Sequence, residues 1–131
     1  MKDETKIWLK YSKENLDSAK ILLDSKLFNP CLQNIQQSVE KALKALLIEN
    51  DLKLKKTHSI SELKNILLNI GLNIEISDED CEFLDSVYLP SKYPLGSVLP
   101  NYEPDCELCD NGIAVAQNTY EFVNRFIRLR S

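Results

Sequence analysis

Apolar residues recur every three or four positions along most of the chain, which is the spacing of amphipathic α-helices. In the first segment, Trp8, Leu16, Ala19 and Leu23 follow this spacing, and lysines and acidic residues occupy the positions between them. Prolines, glycines and polar runs then divide the pattern into five helical segments. We place these segments at about 4–25, 30–50, 59–71, 77–88 and 105–129.

Several residues mark where the predicted helices begin and end. Pro30 suits the first helical position of the second segment, because its φ is already helical and its missing N–H is not needed there. Ser59 and Glu62 have the spacing of a capping box, in which each side chain bonds to the backbone of the other residue. Gly71 is expected to end the third helix. These signals favour helices joined by mostly short connections.

The fold predicted from this pattern is an all-α, up-and-down antiparallel bundle of about five helices. A chain of 131 residues has the size of one domain, so we expect residues 1–131 to form a single domain. The first residues are charged and no run of about 18 apolar residues occurs. We therefore expect a cytoplasmic protein with no membrane association.

The net charge of −4 is unevenly distributed along the chain. Residues 1–65 carry a charge of +3, whereas residues 66–131 carry −7. A general nucleic-acid-binding domain is usually basic, so any contact with nucleic acid should be local and built from the first half. The alternative is that both halves are simply solvated helical surface.

A proline-rich connection at residues 89–104 is the first candidate site. Tyr88, Lys92 and Tyr93 lie at its start. Tyrosine rings can stack on bases and a lysine can contact a phosphate, so these three residues are candidate ligand contacts. The alternative is a stiff crossover whose tyrosines pack on the bundle.

Two further candidates lie on the second segment and before the third. Lys41 and Lys44 lie on a polar strip of the second helix, where they could bind a phosphate or ribose. Alternatively, this strip is an exposed face in which Glu40 and Lys44 form an i,i+4 ion pair. His58 precedes a helix start, where backbone amides can bind an anion. Alternatively, His58 only hydrogen-bonds to the backbone.

The motifs of common enzymes and metal sites are missing from the sequence. Cys106 and Cys109 form a CxxC pair, but no second pair completes a zinc site, and both can be small core residues. Neither a phosphate-binding glycine loop nor a serine nucleophile elbow occurs. We therefore assign no catalytic residue and expect no metal ion and no cofactor.

The chain resembles HEPN domains over nearly its whole length. Residues 36–47, which read QQSVEKALKALL, resemble the helix-two motif of that family. Residues 57–60 resemble its next element, and the Lys-Tyr-Pro at 92–94 is similar to a motif that normally reads Arg-Tyr-Pro. An ammonium group cannot form the bidentate contact that a guanidinium forms. The resemblance thus implies weaker or different binding at Lys92.

The resemblance also implies a function. HEPN domains are often dimeric, and members bind nucleotides, act as ribonuclease toxins or pair with a minimal nucleotidyltransferase. We expect a non-catalytic, nucleotide- or RNA-associated module that forms a homodimer and partners a nucleotidyltransferase of the toxin–antitoxin type. The alternatives are a toxin ribonuclease and a purely structural dimer, for which the aromatic last helix is a hint.

The nuclease branch of the family carries an arginine and, after four to six intervening residues, a histidine. In this chain, no histidine follows Arg125 or the arginines after it. Lys53 and His58 have a similar spacing, but a lysine replaces the arginine and the pair lies elsewhere in the chain. The resemblance therefore argues against ribonuclease activity.

Overall fold

A computed structural model describes residues 1–53, 56–88 and 104–130, the last without its side chain. The described residues form five α-helices and no strand, as the sequence predicts. Lys92 and Tyr93 lie outside the described residues. The helices are α1 (Asp3–Asp24), α2 (Phe28–Glu49), α3 (Ile60–Leu68), α4 (Asp78–Tyr88) and α5 (Cys106–Arg130).

Helix α2 is the centre of the bundle and contacts all four of the other helices. Helix α1 precedes it through a three-residue turn and packs antiparallel to it, so that the backbone N–H of Lys2 donates to Glu49 Oε1 over 3.1 Å. The first turns of α5 cross the start of α2, where Gly112 faces Ile35. A Cβ added at Gly112 would lie 2.9 Å from Ile35 Cδ1, so this glycine permits the close approach of α5.

The helix boundaries follow the predicted signals with two differences. Pro30 is the third residue of α2 and not the first, because the helix begins at Phe28; an N–H is still not needed in the first turn. Only half of the capping box forms: Ser59 Oγ accepts from the Glu62 N–H, but the Ser59 N–H donates to Thr57 Oγ1. Gly71 adopts the expected left-handed conformation, with φ of 88°.

A pair of serines joins α1 to α2 inside the bundle. The hydroxyl of Ser12 donates to the carbonyl oxygen of Ser38 over 2.7 Å, and the hydroxyl of Ser38 donates to the carbonyl oxygen of Ser12 over 2.9 Å. Both side chains are buried. Because each hydroxyl bonds to the opposite backbone, the two helices are held close together at this level.

The apolar core confirms the predicted stripes of the long helices. Leu16, Ala19, Val39, Leu43 and Leu46 are fully buried. The aromatic residues of the last helix, Tyr120, Phe122 and Phe126, are partly buried against this same core. Their apolar surface is therefore used in part within the chain. Among the described residues, no helix has the length and apolar character needed to cross a membrane.

Candidate functional site

A buried ion pair lies on the side of α2 that faces α3. Glu40 and Lys44 are only 3% and 5% exposed, and Lys44 Nζ lies 2.9 Å from Glu40 Oε2. The predicted i,i+4 pair is thus present, but the interpretation of these residues as an exposed face is wrong. The reason is that α2 packs against all four of the other helices, so that these two side chains lie inside the bundle. Lys44 Nζ also lies 5.8 Å from the centroid of the Trp8 ring.

The same carboxylate holds His58. The Nδ1 atom of His58 lies 3.1 Å and 3.2 Å from the two carboxylate oxygens of Glu40. An ionised carboxylate can only accept hydrogen bonds, so Nδ1 carries the hydrogen and Nε2 is left for other partners. The His58 side chain is 44% exposed, in contrast to its buried partner. The ring is therefore fixed in orientation but remains open to solvent.

Gln36 also supports this histidine, through hydrogen bonds to Glu40 and to the His58 backbone. Its side-chain nitrogen donates to Glu40 Oε1 over 3.1 Å and to the carbonyl oxygen of His58 over 3.3 Å. The Gln36 amide thus contacts both the Glu40 carboxylate, which orients the His58 ring, and the backbone of His58. The alternative of a histidine that bonds only to the backbone does not describe His58, because the contact of its ring is with Glu40.

Tyr88, the last residue of α4, stacks on the imidazole. The ring centroids of His58 and Tyr88 lie 4.2 Å apart and the planes are inclined by 20°. Two of the residues that the sequence proposed separately, one before α3 and one before the proline-rich connection, therefore form one aromatic pair. Lys92 and Tyr93 follow Tyr88 by four and five positions in the sequence.

Asp85 of α4 occupies the N-terminus of α3. Its carboxylate accepts from the backbone N–H of Ile60 over 2.5 Å and of Ser61 over 3.3 Å. It also accepts from the hydroxyls of Ser59 and Ser61 over 3.1 Å and 2.7 Å. The sequence indicates that an anion can bind at this helix start, and the carboxylate of Asp85 takes that place.

These residues surround an open pocket of about 440 Å³, which we call the His58 pocket. Its wall includes the two stacked rings, the capped start of α3 and one lysine, and so combines aromatic, polar and cationic groups. The lining residues are Lys56, Thr57, His58, Ser59, Asp85 and Tyr88.

Lys41 lies apart from this network, although it neighbours Glu40 in the sequence. Its Nζ atom donates to Asn15 Oδ1 over 2.8 Å and lies 5.8 Å from the Tyr11 ring centroid. Both partners belong to α1, whereas Glu40 faces His58. The structure therefore brings together Lys44, His58 and Tyr88 but places Lys41 with α1.

Sequence reasoning missed three residues of this site in their present roles. Glu40 was interpreted as part of an exposed face, and neither Asp85 nor Lys56 was singled out. Charge spacing could suggest the pair of Glu40 with Lys44 but not its burial. No local pattern indicates that Asp85 caps a helix that begins 25 residues earlier.

The cysteines are free thiols with different exposure. Cys31, Cys81 and Cys109 are buried, and Cys106 is exposed. Burial raises the pKa of Cys109 from 9.0 to about 12, helped by the adjacent Cys31 thiol. Burial also raises the pKa of Cys31 and of Cys81. Among the described residues, no group of three His, Cys, Asp or Glu side chains could hold a metal ion.

Alkylation of the native protein with iodoacetamide at pH 8 should modify Cys106 first. The other three thiols are buried and so shielded from the reagent, whereas Cys106 is exposed and its thiolate can react. Mass spectrometry should show one fast adduct in the native state and four in urea. Fast native labelling of Cys109 would contradict the described packing.

The raised pKa of the Cys109 thiol also links folding stability to pH. This thiol contributes stability that is fully present below pH 9.0 and is lost as the pH rises through about 12.

Comparison with known proteins agrees with the architecture. The family model "HEPN domain" matches residues 5–126. A protein of Methanocaldococcus jannaschii named "Putative toxin MJ1304" is 27% identical over 140 residues, which cover 94% of this chain and 88% of the relative. The chain thus spans nearly the full length of that relative.

Two solved structures have the same fold. The archaeal HEPN homologue ST0689 superposes with a TM-score of 0.64 at 23% identity and covers 97% of this chain and 99% of its own. The protein TT1696 from Thermus thermophilus superposes with a TM-score of 0.76 at 23% identity, with coverage of 95% and 98%. At this identity the likeness concerns the fold alone. Since the family model spans most of the five-helix chain, the protein belongs to the HEPN domain family.

Proposed function

We propose that the protein is a nucleotide- or RNA-binding HEPN module of the toxin–antitoxin type and that the ligand binds in the His58 pocket. The observation that carries this proposal is the imidazole of His58, which is fixed by buried Glu40, stacked on Tyr88 and still 44% exposed. Aromatic platforms beside cationic groups are the usual means by which proteins hold single-stranded nucleic acids.

The buried support of His58 favours a functional role over a purely structural one. A buried ion pair costs desolvation that apolar side chains of the same volume would avoid. Here the buried carboxylate of Glu40 contacts, besides Lys44, a histidine whose side chain is exposed. Such carboxylate support fixes the tautomer and orientation of an imidazole, which a ligand site needs and a core does not.

The toxin–antitoxin part of the proposal is supported by the relative from Methanocaldococcus jannaschii, whose name contains the word toxin. In this setting we propose a minimal nucleotidyltransferase as the protein partner, a homodimer as the assembly and the cytoplasm as the compartment. Copurification of the tagged protein with the products of neighbouring genes tests the nucleotidyltransferase partner. Light scattering of the purified protein tests the homodimer, and a monodisperse monomer would contradict that assembly.

Binding of short single-stranded RNAs and of nucleotides, measured by calorimetry, tests the central proposal. His58→Ala and Tyr88→Ala should each weaken binding by about tenfold or more, which corresponds to ~1.4 kcal/mol or more. Tyr88→Phe is the matched control, because it keeps the ring that stacks on His58. It should retain affinity within about threefold, less than the effect of losing one base–aromatic contact.

A second control removes charge elsewhere. Lys10→Ala takes one exposed lysine from α1 and should leave binding unchanged. If Lys10→Ala weakened binding as much as Tyr88→Ala, general electrostatic attraction would explain the affinity. If no RNA or nucleotide bound to the native protein, the proposal would be wrong.

Ribonuclease activity is a second candidate, and the pairing of His58 with Glu40 is the observation that favours it. A carboxylate that bonds to Nδ1 leaves Nε2 able to accept a proton as a general base. This arrangement would differ from the arginine–histidine motif of the nuclease branch. Cleavage of RNA by the native protein that is lost in His58→Ala would support it, and intact RNA after prolonged incubation would exclude it.

A further inference from the structure

We infer that the His58 pocket recognises the flat heterocycle of its ligand, a nucleobase, and that the phosphate is not bound at the start of α3. This inference rests on the proposed function and adds the part of the ligand that the pocket selects. The carrying observation is the position of Asp85, whose carboxylate occupies the place that a phosphate would take.

The donors that could hold an anion at this helix start are already engaged. The backbone N–H groups of Ile60 and Ser61 donate to Asp85, and the N–H of Glu62 donates to Ser59 Oγ over 3.1 Å. The next N–H, of Leu63, donates to the carbonyl oxygen of Ser59 over 3.1 Å within the helix. A phosphate would have to displace these internal acceptors in order to use the helix terminus.

The charges that line the pocket also disfavour a phosphate at the start of α3. Asp85 lines the His58 pocket, so its negative charge opposes a phosphate at the pocket wall. Lys56 is the cation among the described lining residues, and it is exposed to solvent. We therefore place the charged part of the ligand toward Lys56 and solvent, and its uncharged part against the rings.

The aromatic wall fits a heterocycle. His58 and Tyr88 lie nearly parallel, with 4.2 Å between their centroids, so a third flat ring can continue the stack. Every nucleobase presents such a face. The Thr57 side chain adds to the wall, while its hydroxyl is used by the Ser59 N–H over 3.1 Å. The pocket therefore offers a surface for stacking.

The edge of the base can also be recognised. In the imidazole tautomer whose Nδ1 donates to Glu40, Nε2 is a hydrogen-bond acceptor. Its complement is an N–H donor, which all common nucleobases carry as an amine or an imino group. The pair of His58 and Glu40 thus favours a donor edge on the base over a negatively charged oxygen.

Competition calorimetry with the native protein tests this inference. The tightest-binding nucleoside monophosphate serves as the reference ligand, and its nucleoside, ribose 5-phosphate and pyrophosphate serve as competitors. We expect the nucleoside to bind within about tenfold of the monophosphate. We expect ribose 5-phosphate and pyrophosphate to bind at least a hundredfold more weakly. Competition by either of these at the strength of the monophosphate, or failure of the nucleoside, would overturn the inference and leave the proposed function intact.

Salt dependence provides a second measurement that needs no substitution. Each phosphate contact to a single strand contributes a slope of about −0.7 to log K against log salt concentration. Binding of a short single-stranded RNA should give a slope between zero and about −0.7, which corresponds to at most one phosphate contact. A slope of about −1.4 or steeper, the value for two contacts, would show phosphate-directed binding and contradict the inference. If neither nucleotide nor RNA binds at all, the proposed function itself fails.

Discussion

Glu40→Ala is expected to lower the free energy of unfolding by about 3–5 kcal/mol, the range found when one partner of a buried ion pair is removed. The substitution leaves Lys44, which is 5% exposed, with an ammonium group whose ion-pair partner is gone. It also removes one of the two acceptors of the Gln36 side-chain amide and the acceptor of His58 Nδ1. Urea denaturation gives the difference as a shift of the midpoint at unchanged slope.

Two variants serve as controls for this result. Glu14→Ala removes an exposed carboxylate from α1 and should change stability by less than about 0.5 kcal/mol. The double variant Glu40→Met with Lys44→Met replaces both charges by apolar groups and should recover most of the loss. It should not recover ligand binding, because the carboxylate that holds His58 Nδ1 is then absent. A single Glu40→Ala variant as stable as the native protein would show that the pair is not buried in solution.

Asp85→Ala is expected to cost about 2–3 kcal/mol, which is more than the loss of an ordinary helix cap. One carboxylate accepts four hydrogen bonds from the cap residue and the first two residues of α3, and it comes from another helix. Its removal therefore loosens the contact between α3 and α4 as well as the helix start. Thermal unfolding should show a fall in Tm of several degrees or more for a chain of this size.

Glu82→Ala is the matched control for Asp85, because Glu82 is an exposed acidic residue of the same helix. It should leave stability within about 0.5 kcal/mol of the native value. Equal effects of the two substitutions would mean that α4 depends on its overall charge and not on the cap. A Tm of Asp85→Ala equal to that of the native protein would contradict the described contact.

The helices could be predicted from the sequence because their signals are local. The apolar spacing of α1 and α2, the cap at Ser59 and the stop at Gly71 depend only on neighbours within a turn or two. The early start of α2, two residues before Pro30, is a small difference of the same local kind. Fold class and helix order thus follow from the pattern.

The candidate site could be predicted only in part, because its contacts join distant segments. Glu40 meets a histidine 18 positions later, and that histidine stacks on Tyr88, 30 positions further. Whether Glu40 and Lys44 face solvent depends on how α1, α3 and α4 cover α2, which spacing along one helix does not reveal. His58 and Tyr88 were each identified from residue type and position, but their pairing required the packed bundle.

The serine pair between α1 and α2 also limits how this chain can change over evolutionary time. Ser12 and Ser38 each supply a donor to the backbone of the other, so one substitution removes half of a reciprocal contact. A larger side chain at either position meets the opposite helix at once. When two residues are in direct contact, the effects of substituting them on stability are not independent. We therefore expect relatives to replace the two serines together or to keep both, so that these positions vary as one inherited unit.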